Sequence, residues 1–178
     1  MMVAVVVRLH GLGAPNLWLD EANSWYVAHL SWAQLSTNLR TSPVGPVYFV
    51  ALKLWMDVFG TSEAALRAPS LLASVILVPL VYALGVRTVS MRAARVAAAL
   101  TALSPLHLYF AQEARMYMLL ALLAAASTLA YVHWRDAVTG VGRRGRAARP
   151  LVAYALLAII ILGTHVVSAP LVVALNVD

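Results

Sequence analysis

The chain has 178 residues, of which 62% are hydrophobic and 11% are charged, and its mean hydropathy is +0.82. These values exclude an ordinary soluble domain, which needs a more polar composition. The formal net charge is +6 and there is no cysteine, so a disulfide framework and a thiolate metal site are excluded. The basic residues fall in short loops between hydrophobic runs, and binding to nucleic acid is therefore not expected.

The N-terminal segment, residues 1–14, is interpreted as a partial first helix. Its apolar run is too short to cross a bilayer, because a spanning helix takes about 20 mainly apolar residues. It also lacks the basic start and the small-residue cleavage site of a signal peptide. Turn residues follow at Gly11, Gly13 and Pro15. We expect residues 15–67 to form an outer loop after this helix.

An adjacent pair of carboxylates, Asp20 and Glu21, stands in a chain that has few other acids. Trp18, Trp25 and Tyr26 flank the pair, and such amphipathic rings settle at the boundary between membrane and water. Asp20 alone could be the N-cap of a short helix. That interpretation leaves Glu21 and the aromatic cluster unexplained, so we expect part of a functional site here.

The apolar stretch from Pro43 to Phe59 is expected to lie flat on the membrane. It contains Lys53 and Asp57 four residues apart, so that both charges share one helical face. A lysine at the centre of a spanning helix costs about 2.5–3.5 kcal/mol, and the stretch is short for a span. An interfacial helix, with its charges directed to water, satisfies these constraints.

Four longer apolar runs each approach the length of a bilayer span. The two arginine-rich loops, 87–95 and 135–149, should both be cytoplasmic by the positive-inside rule, because two predicted helices between them return the chain to the same face. The acidic pair and the turn Gln112–Arg115 then share the outer surface. The predicted membrane helices are 68–86, 96–112, 116–134 and 150–177, with the last broken at Gly163 and Pro170.

The turn Gln112–Arg115 contributes a second set of charges. Glu113 and Arg115 are two residues apart and do not face each other on a helix, so they either act elsewhere or merely solvate the turn. Arg115 lies on the face of the membrane opposite the arginine-rich loops. A guanidinium at that position is well suited to bind phosphate. Arg67 could reach lipid headgroups or hold a polar substrate. His165 should approach the same face and is a further candidate for binding substrate or phosphate, although an imidazole that only faces the interface is the simpler interpretation.

Several motifs occur together in the order found in a known family. Their ordered set resembles the GT-C-fold glycosyltransferases that use polyprenyl-phosphate sugars, specifically glycosyltransferase family 39 and the dolichyl-phosphate-mannose protein mannosyltransferases. The resemblance implies an all-α, multi-pass transmembrane fold with interfacial helices in the first extracytoplasmic loop, and it implies that this chain is an N-terminal portion. The motifs are Leu17–Ala22, Ser42–Tyr48, Phe59–Ser70, Leu103–His107 and Ala111–Tyr117.

The resemblance also implies a reaction, in which a sugar passes from a polyprenyl-phosphate donor to a hydroxyl of a protein, lipid or glycan at the extracytoplasmic face of the plasma membrane. Asp20 would be the general base, supported by Glu21. Arg115 and Arg67 would stabilise the leaving phosphate. Glu113 would orient Arg115 or hold a divalent metal. No cofactor is assigned, and the use of a metal stays open.

The chain departs from the family pattern at two places. Relatives often carry a His, Lys or acid before the proline-rich segment, where this chain has Thr41 and Ser42, and Ala111 stands where relatives have Ser. Arg40 or Lys53 could replace the lost contact with a lipid phosphate. Two other functions remain open: a lipid-linked-sugar transporter, and a non-catalytic or truncated membrane protein that binds a lipid phosphate.

Overall fold

The computed structural model describes residues 2–42, 44–140 and 147–177, and every regular element within them is a helix. The predicted all-α class is therefore confirmed. Pro43 and three arginines of the second arginine-rich loop, Arg143, Arg144 and Arg146, lie outside the described residues. The helices are α1 (Met2–Leu9), α2 (Leu19–His29), α3 (Trp32–Asn38), α4 (Pro46–Phe59), α5 (Glu63–Thr88), α6 (Met91–Leu103), α7 (Pro105–Ala111), α8 (Tyr117–Thr139), α9 (Ala148–Thr164) and α10 (Ala169–Leu175).

Helices α5 and α8 are long and apolar enough to cross a membrane, with 26 and 23 residues. Helix α5 begins at Glu63, five residues before the predicted start, because the Ser62 hydroxyl caps it and accepts from the Ala65 N–H at 3.3 Å. Helix α5 packs against α6 and α8, and α8 packs against α9. These four helices form the bundle that carries the site.

The predicted helix 96–112 is divided in two. Helix α6 ends at Leu103 and α7 begins at Pro105. Proline has no N–H to continue the hydrogen-bond ladder, and the Ser104 hydroxyl instead caps α7 by accepting from the His107 N–H at 3.4 Å. The structure thus corrects the prediction of one unbroken helix.

The predicted helix 150–177 is interrupted close to the expected position. Helix α9 ends at Thr164, a short 3₁₀ turn covers Val166–Ser168, and α10 follows. His165 between them is extended, with φ −162° and ψ 137°. Its backbone forms an isolated antiparallel bridge with Val44. The break therefore attaches the end of α9 to the segment before α4.

Residues 15–67, predicted as an outer loop with interfacial helices, contain the three helices α2 to α4. Their apolar faces form a buried core that includes Val27, Phe49 and Leu52. Lys53 is half-buried, and its ammonium donates to the carbonyl oxygens of Ala28 at 3.2 Å and Leu30 at 2.8 Å. A cation there stabilises the C-terminal end of α2. Lys53 is thus engaged within the protein.

Arg8 is a fully buried arginine on α1, with 0% exposure, that sequence reasoning did not single out. Its Nε donates to Ser74 Oγ at 2.7 Å, Nη1 to the Ala102 carbonyl at 2.9 Å and Nη2 to the Thr101 carbonyl at 3.3 Å. These carbonyls close α6, where Pro105 offers no N–H to Thr101. Arg8 supplies the missing donors at the helix break.

Charged groups collect at the two opposite ends of the bundle. At one end, Arg87 Nε donates to Asp136 Oδ2 at 3.0 Å, which joins the C-terminal parts of α5 and α8. At the other end, the N-terminal part of α5 meets the beginning of α8, where Ser70 Oγ donates to the Arg115 carbonyl at 3.1 Å. The acidic pair and the turn Gln112–Arg115 lie at this second end, which we call the site end.

Candidate functional site

Helix α2 places Asp20 and Glu21 in its first turn. The N-cap is Trp18 and not Asp20, so the interpretation of Asp20 as a cap does not hold. Glu21, three residues after the cap, accepts from the Trp18 N–H at 3.4 Å, as in a capping box. Successive helical positions point about 100° apart, and the two carboxylates therefore have different surroundings.

Glu21 and Arg67 form a buried, bidentate ion pair, with side chains that are 1% and 4% exposed. Arg67 Nε donates to Glu21 Oε1 at 2.8 Å and Nη2 donates to Oε2 at 2.7 Å. The remaining guanidinium donors reach the carbonyl oxygens of Leu12, Pro15 and Asn16 at 2.9, 3.0 and 3.4 Å. All five N–H groups of Arg67 are engaged, which leaves none for a substrate phosphate.

Glu21 also connects α2 to the turn before α8, because its Oε1 accepts from the Ala114 N–H at 2.8 Å. Burial by itself would raise the pKa of Glu21, but the hydrogen bond from Arg67 and the N–H groups of Ala114 and Trp18 outweigh burial and hold the pKa below its ordinary value. The carboxylate is ionised and fully engaged. Glu21 and Arg67 thus join three segments of the chain instead of facing a cavity as free groups.

Asp20 is the accessible member of the pair, with 44% of its side chain exposed, and it faces Arg115, which is 11% exposed. Arg115 Nη2 is 3.8 Å from Asp20 Oδ2, beyond hydrogen-bond distance. Arg115 Nη1 donates to the Asp20 carbonyl at 3.2 Å and to Ser24 Oγ at 3.4 Å. In the described part of the chain, Arg115 Nε is buried without a hydrogen-bond partner. Both ionic groups keep capacity for a ligand.

Asp20 and Arg115 line one cavity of about 280 Å³, which we call the Asp20 cavity. Thr41 and Ser42, the positions that depart from the family pattern, line its wall, whereas the Lys53 ammonium bonds to the end of α2. The cavity thus combines an acid, a cation and neutral hydrogen-bonding groups. Its other lining residues are Asn23, Val27, Asn38, Val44 and Phe49.

Glu113 lies in the turn between α7 and α8, is 5% exposed and lines a different cavity of about 240 Å³, the Glu113 cavity. Its Oε2 has no hydrogen-bond partner among the described residues. Burial raises the pKa of Glu113, the nearby Tyr109 hydroxyl offsets part of that rise, and the Glu21 charge adds to it. Glu113 meets Arg115 through the backbone, where the Arg115 N–H donates to the Glu113 carbonyl at 2.8 Å.

His165 lies at the site end but takes part through its backbone. It pairs with Val44, a lining residue of the Asp20 cavity, while its Nδ1 accepts from the Val167 N–H at 3.0 Å. No group of three or more His, Asp or Glu side chains suited to a metal occurs within residues 2–42, 44–140 and 147–177. Among these contacts, His165 meets the wall of the Asp20 cavity through its backbone bridge to Val44.

Two glycines hold that wall in place: Gly45, which sequence reasoning did not single out, and Gly163, which it predicted only as a helix break. The Gly45 N–H donates to the Thr164 carbonyl at 2.9 Å, and a Cβ at Gly45 would come within 2.0 Å of the Gly163 carbonyl oxygen. A Cβ at Gly163 would come within 2.8 Å of Val47. Only residues without a side chain permit this approach. The pair Gly45–Pro46 in the motif Ser42–Tyr48 was the available signal for Gly45.

Two apolar helices long enough to cross a membrane, together with a charged site at one end of their bundle, fit a helical membrane protein. A sequence profile of the family described as dolichyl-phosphate-mannose-protein mannosyltransferase matches residues 42–175, which is more than half of the chain. The chain belongs to this family, and the resemblance to GT-C-type glycosyltransferases is confirmed. No curated protein and no solved structure matches the chain.

The family match covers Arg67, Glu113 and Arg115 but begins after the acidic pair, at Ser42. It supports a mannosyltransferase-like membrane glycosyltransferase in general. A role for Asp20 therefore depends on the geometry that brings it against Arg115.

Proposed function

We propose that this chain transfers a sugar from a polyprenyl-phosphate donor to a hydroxyl acceptor, with Asp20 as the general base. The observation that carries this proposal is the placement of Asp20 and Arg115 across one cavity, with Oδ2 and Nη2 3.8 Å apart. An accessible carboxylate beside a cation with spare donors fits a reaction that removes a proton and releases a phosphate. Family membership supports the reaction class.

The proposed step is a direct displacement. The acceptor oxygen attacks the anomeric carbon as its proton passes to the Asp20 carboxylate, and the bond from that carbon to the phosphate oxygen breaks with its electrons leaving on the phosphate. Displacement in this sense inverts the anomeric centre. A positioned base typically contributes about 10²–10⁴-fold to such a reaction.

Arg115 is proposed to stabilise the leaving phosphate, because a cation aimed at developing charge lowers the barrier. Its Nε has no hydrogen-bond partner among the described residues, and its Nη2 lies 3.8 Å from Asp20 Oδ2. Arg115 also lies just before α8, whose positive N-terminal end favours an anion. The Tyr117 ring lies 5.8 Å from its guanidinium carbon and helps to hold the group in place.

Glu21 and Arg67 are proposed as positioning residues. Their ion pair connects α2 to α5, and the bond from the Ala114 N–H to Glu21 connects both to the turn that carries Arg115. These contacts set the separation between the base and the cation. The predicted contact of Arg67 with the phosphate is replaced by this role, since its five donors are occupied.

The site end is proposed to face the extracytoplasmic side of the plasma membrane, within the cell envelope. Arg87, Arg92 and Arg95 lie at the opposite end of the bundle, which the positive-inside rule places in the cytoplasm. A lipid-linked donor would then present its phosphate to Arg115 at the outer interface. A protein, lipid or glycan hydroxyl would enter from the aqueous side.

The test uses the full chain in lipid nanodiscs with a short-chain polyprenyl-phosphate [³H]mannose and a set of hydroxyl acceptors, with and without EDTA. We expect Asp20→Asn to lower transfer at least about 100-fold while donor binding persists, and Arg115→Met to lower both. Asp57→Asn, an exposed acid on α4, is the matched control and should be as active as the wild type.

Three results would contradict the proposal. Transfer by Asp20→Asn at the rate of the wild type would exclude the base. Movement of labelled donor across vesicles without product would identify a transporter instead. Donor binding by the wild type without any transfer would identify a non-catalytic binder of lipid phosphate.

A further inference from the structure

The Glu113 cavity is distinct from the Asp20 cavity, and the proposed reaction assigns no ligand to it. Its walls come from the segment between α1 and α2 and from α2, α5, α7 and the turn that follows α7. Glu113 is 5% exposed, and its Oε2 lacks a hydrogen-bond partner among the described residues. A buried polar atom without a partner is costly and uncommon. A ligand that donates hydrogen bonds would remove this cost.

The charge in the cavity indicates what kind of ligand fits. Arg67 also lines it, but its five donors are taken by Glu21 and three carbonyl groups. The Glu21 and Arg67 charges balance, and an ionised Glu113 leaves the cavity negative. An anion such as phosphate is disfavoured there. A carboxylate only accepts hydrogen bonds, and its two oxygens suit adjacent hydroxyl groups.

The walls and the size of the cavity narrow the ligand further. Trp18 and Tyr109 line the cavity, and these two residues are 46% and 57% exposed. Such amphipathic rings offer an apolar face beside a polar edge, which matches the C–H face of a sugar. The volume of about 240 Å³ equals roughly eight water molecules at about 30 Å³ each. One pyranose ring fits in this volume.

A divalent cation suits the cavity less well. Calcium takes six to eight oxygen ligands, and magnesium needs near-octahedral geometry. In the described ranges no group of three or more His, Asp or Glu side chains could hold a metal. The aromatic walls contribute no such ligand, so a neutral hydroxyl-bearing ring agrees better with the lining.

We propose that the Glu113 cavity binds one pyranose ring of the substrate, whose hydroxyls donate to Glu113 and whose C–H face packs on Trp18 or Tyr109. This inference rests on the proposed function, because the ring belongs either to the donor or to a glycan acceptor. Trp18 and Glu21 of the first turn of α2 line this cavity, and Asp20 between them lines the other. A ring held by Glu113 therefore lies beside the turn that carries the base.

The test measures binding of methyl α-D-mannopyranoside and methyl α-D-glucopyranoside to the full chain in nanodiscs by saturation-transfer NMR. We expect Glu113→Gln to weaken binding about tenfold or more, since it replaces a charged acceptor. Trp18→Leu should weaken it as well. Glu63→Gln, the same chemical change in the first turn of α5 and outside the cavity, is the matched control and should bind normally.

Kinetics then separate the two sources of the ring. A raised KM for a short-chain polyprenyl-phosphate mannose in Glu113→Gln would assign the ring to the donor, whereas a raised KM for a glycan acceptor would assign it to the acceptor. Either result supports the inference. Asp20→Asn should keep normal sugar binding, so loss of catalysis and loss of the sugar site are distinguishable.

Three outcomes would overturn the inference: no signal from either methyl pyranoside with the wild type, equal binding by Glu113→Gln and the wild type, or displacement of the sugar by tetramethylammonium or Ca²⁺. If only the sugar site is wrong, the wild type would give no signal with either methyl pyranoside but would still transfer sugar. Sugar binding by a wild type that transfers nothing would instead contradict the proposed function.

Discussion

Glu21 and Glu113 are both buried carboxyl groups, yet their surroundings move their pKa values in opposite directions. Arg67 and two backbone N–H groups outweigh burial at Glu21 and lower its pKa. At Glu113 burial is the largest effect and raises the pKa, while Tyr109 compensates only in part. Glu21 therefore joins parts of the fold through its ion pair, whereas Glu113 keeps an oxygen that can accept a hydrogen bond from a ligand.

Replacement of Glu21 by Gln should strongly destabilise the protein. It leaves the Arg67 charge buried without its partner, and breaking a buried pair in this way costs about 3–5 kcal/mol. The lowered pKa of Glu21 means that its contribution is present above its ordinary value of 4.5 and is lost as pH falls through the folded value. Unfolding in mixed micelles, followed by circular dichroism from pH 3 to 7, measures both effects.

Glu113→Gln is the contrasting variant for that experiment. Because burial raises the pKa of Glu113, the folded state binds more protons than the unfolded state, and the unfavourable contribution of Glu113 grows as pH rises through the shifted pKa. Glu113→Gln should therefore not lose stability at pH 7. Equal destabilisation by both variants would contradict the distinction between them.

At the scale of elements, the break between α6 and α7 depends on Arg8. Without Arg8, the Thr101 and Ala102 carbonyls of α6 lose their donors, and each unsatisfied group costs about 1–3 kcal/mol. We expect Arg8→Met to lower stability accordingly. Pro105→Ala restores an N–H for Thr101 and should recover part of the loss, which a double-mutant cycle of unfolding free energies measures.

Arg92→Met is the control for this cycle, since Arg92 is exposed at the start of α6. Its unfolding free energy should stay within about 0.5 kcal/mol of the wild type. Additive losses in Arg8→Met and Pro105→Ala, without recovery in the double variant, would show that Arg8 does not serve the break.

The contact between α9 and the segment before α4 leads to a second prediction at the scale of elements. Gly45→Ala should displace the wall of the Asp20 cavity, because its Cβ would lie 2.0 Å from the Gly163 carbonyl oxygen. We expect lower sugar transfer together with lower thermal stability. Gly13→Ala is the control, since its Cβ would meet Ala64 at a milder 3.2 Å. Equal activity of the two variants would argue against a role for this contact.

At the scale of the whole molecule, α5 and α8 both run from the site end to the arginine-rich end. The absence of native cysteine allows single-cysteine labelling in intact cells with a membrane-impermeant maleimide. Exposed Asn23 and Thr61 at the site end should label when replaced by Cys, and exposed Val89 at the other end should not. Labelling of Val89→Cys alone would reverse the proposed orientation.

The helical class and the position of most helices follow from the sequence. Apolar runs of bilayer length, rich in Ala, Val and Leu, must satisfy their backbone hydrogen bonds internally and therefore form helices. The acidic pair and the turn Gln112–Arg115 were recognisable because charges are scarce in this chain. The helix break at Pro105 was missed, although proline and the preceding serine were a local signal for it.

The sequence by itself thus determined a helical membrane protein with a few candidate charges, because hydropathy and charge scarcity are local properties. Only the tertiary structure decided what each charge does. Arg67 meets Glu21 across 46 positions, Glu21 meets the Ala114 N–H across 93, and Arg8 meets the Ala102 carbonyl across 94. No local pattern encodes such pairings, since they arise from helix packing, and packing leaves Asp20, Arg115 and Glu113 with capacity for a ligand.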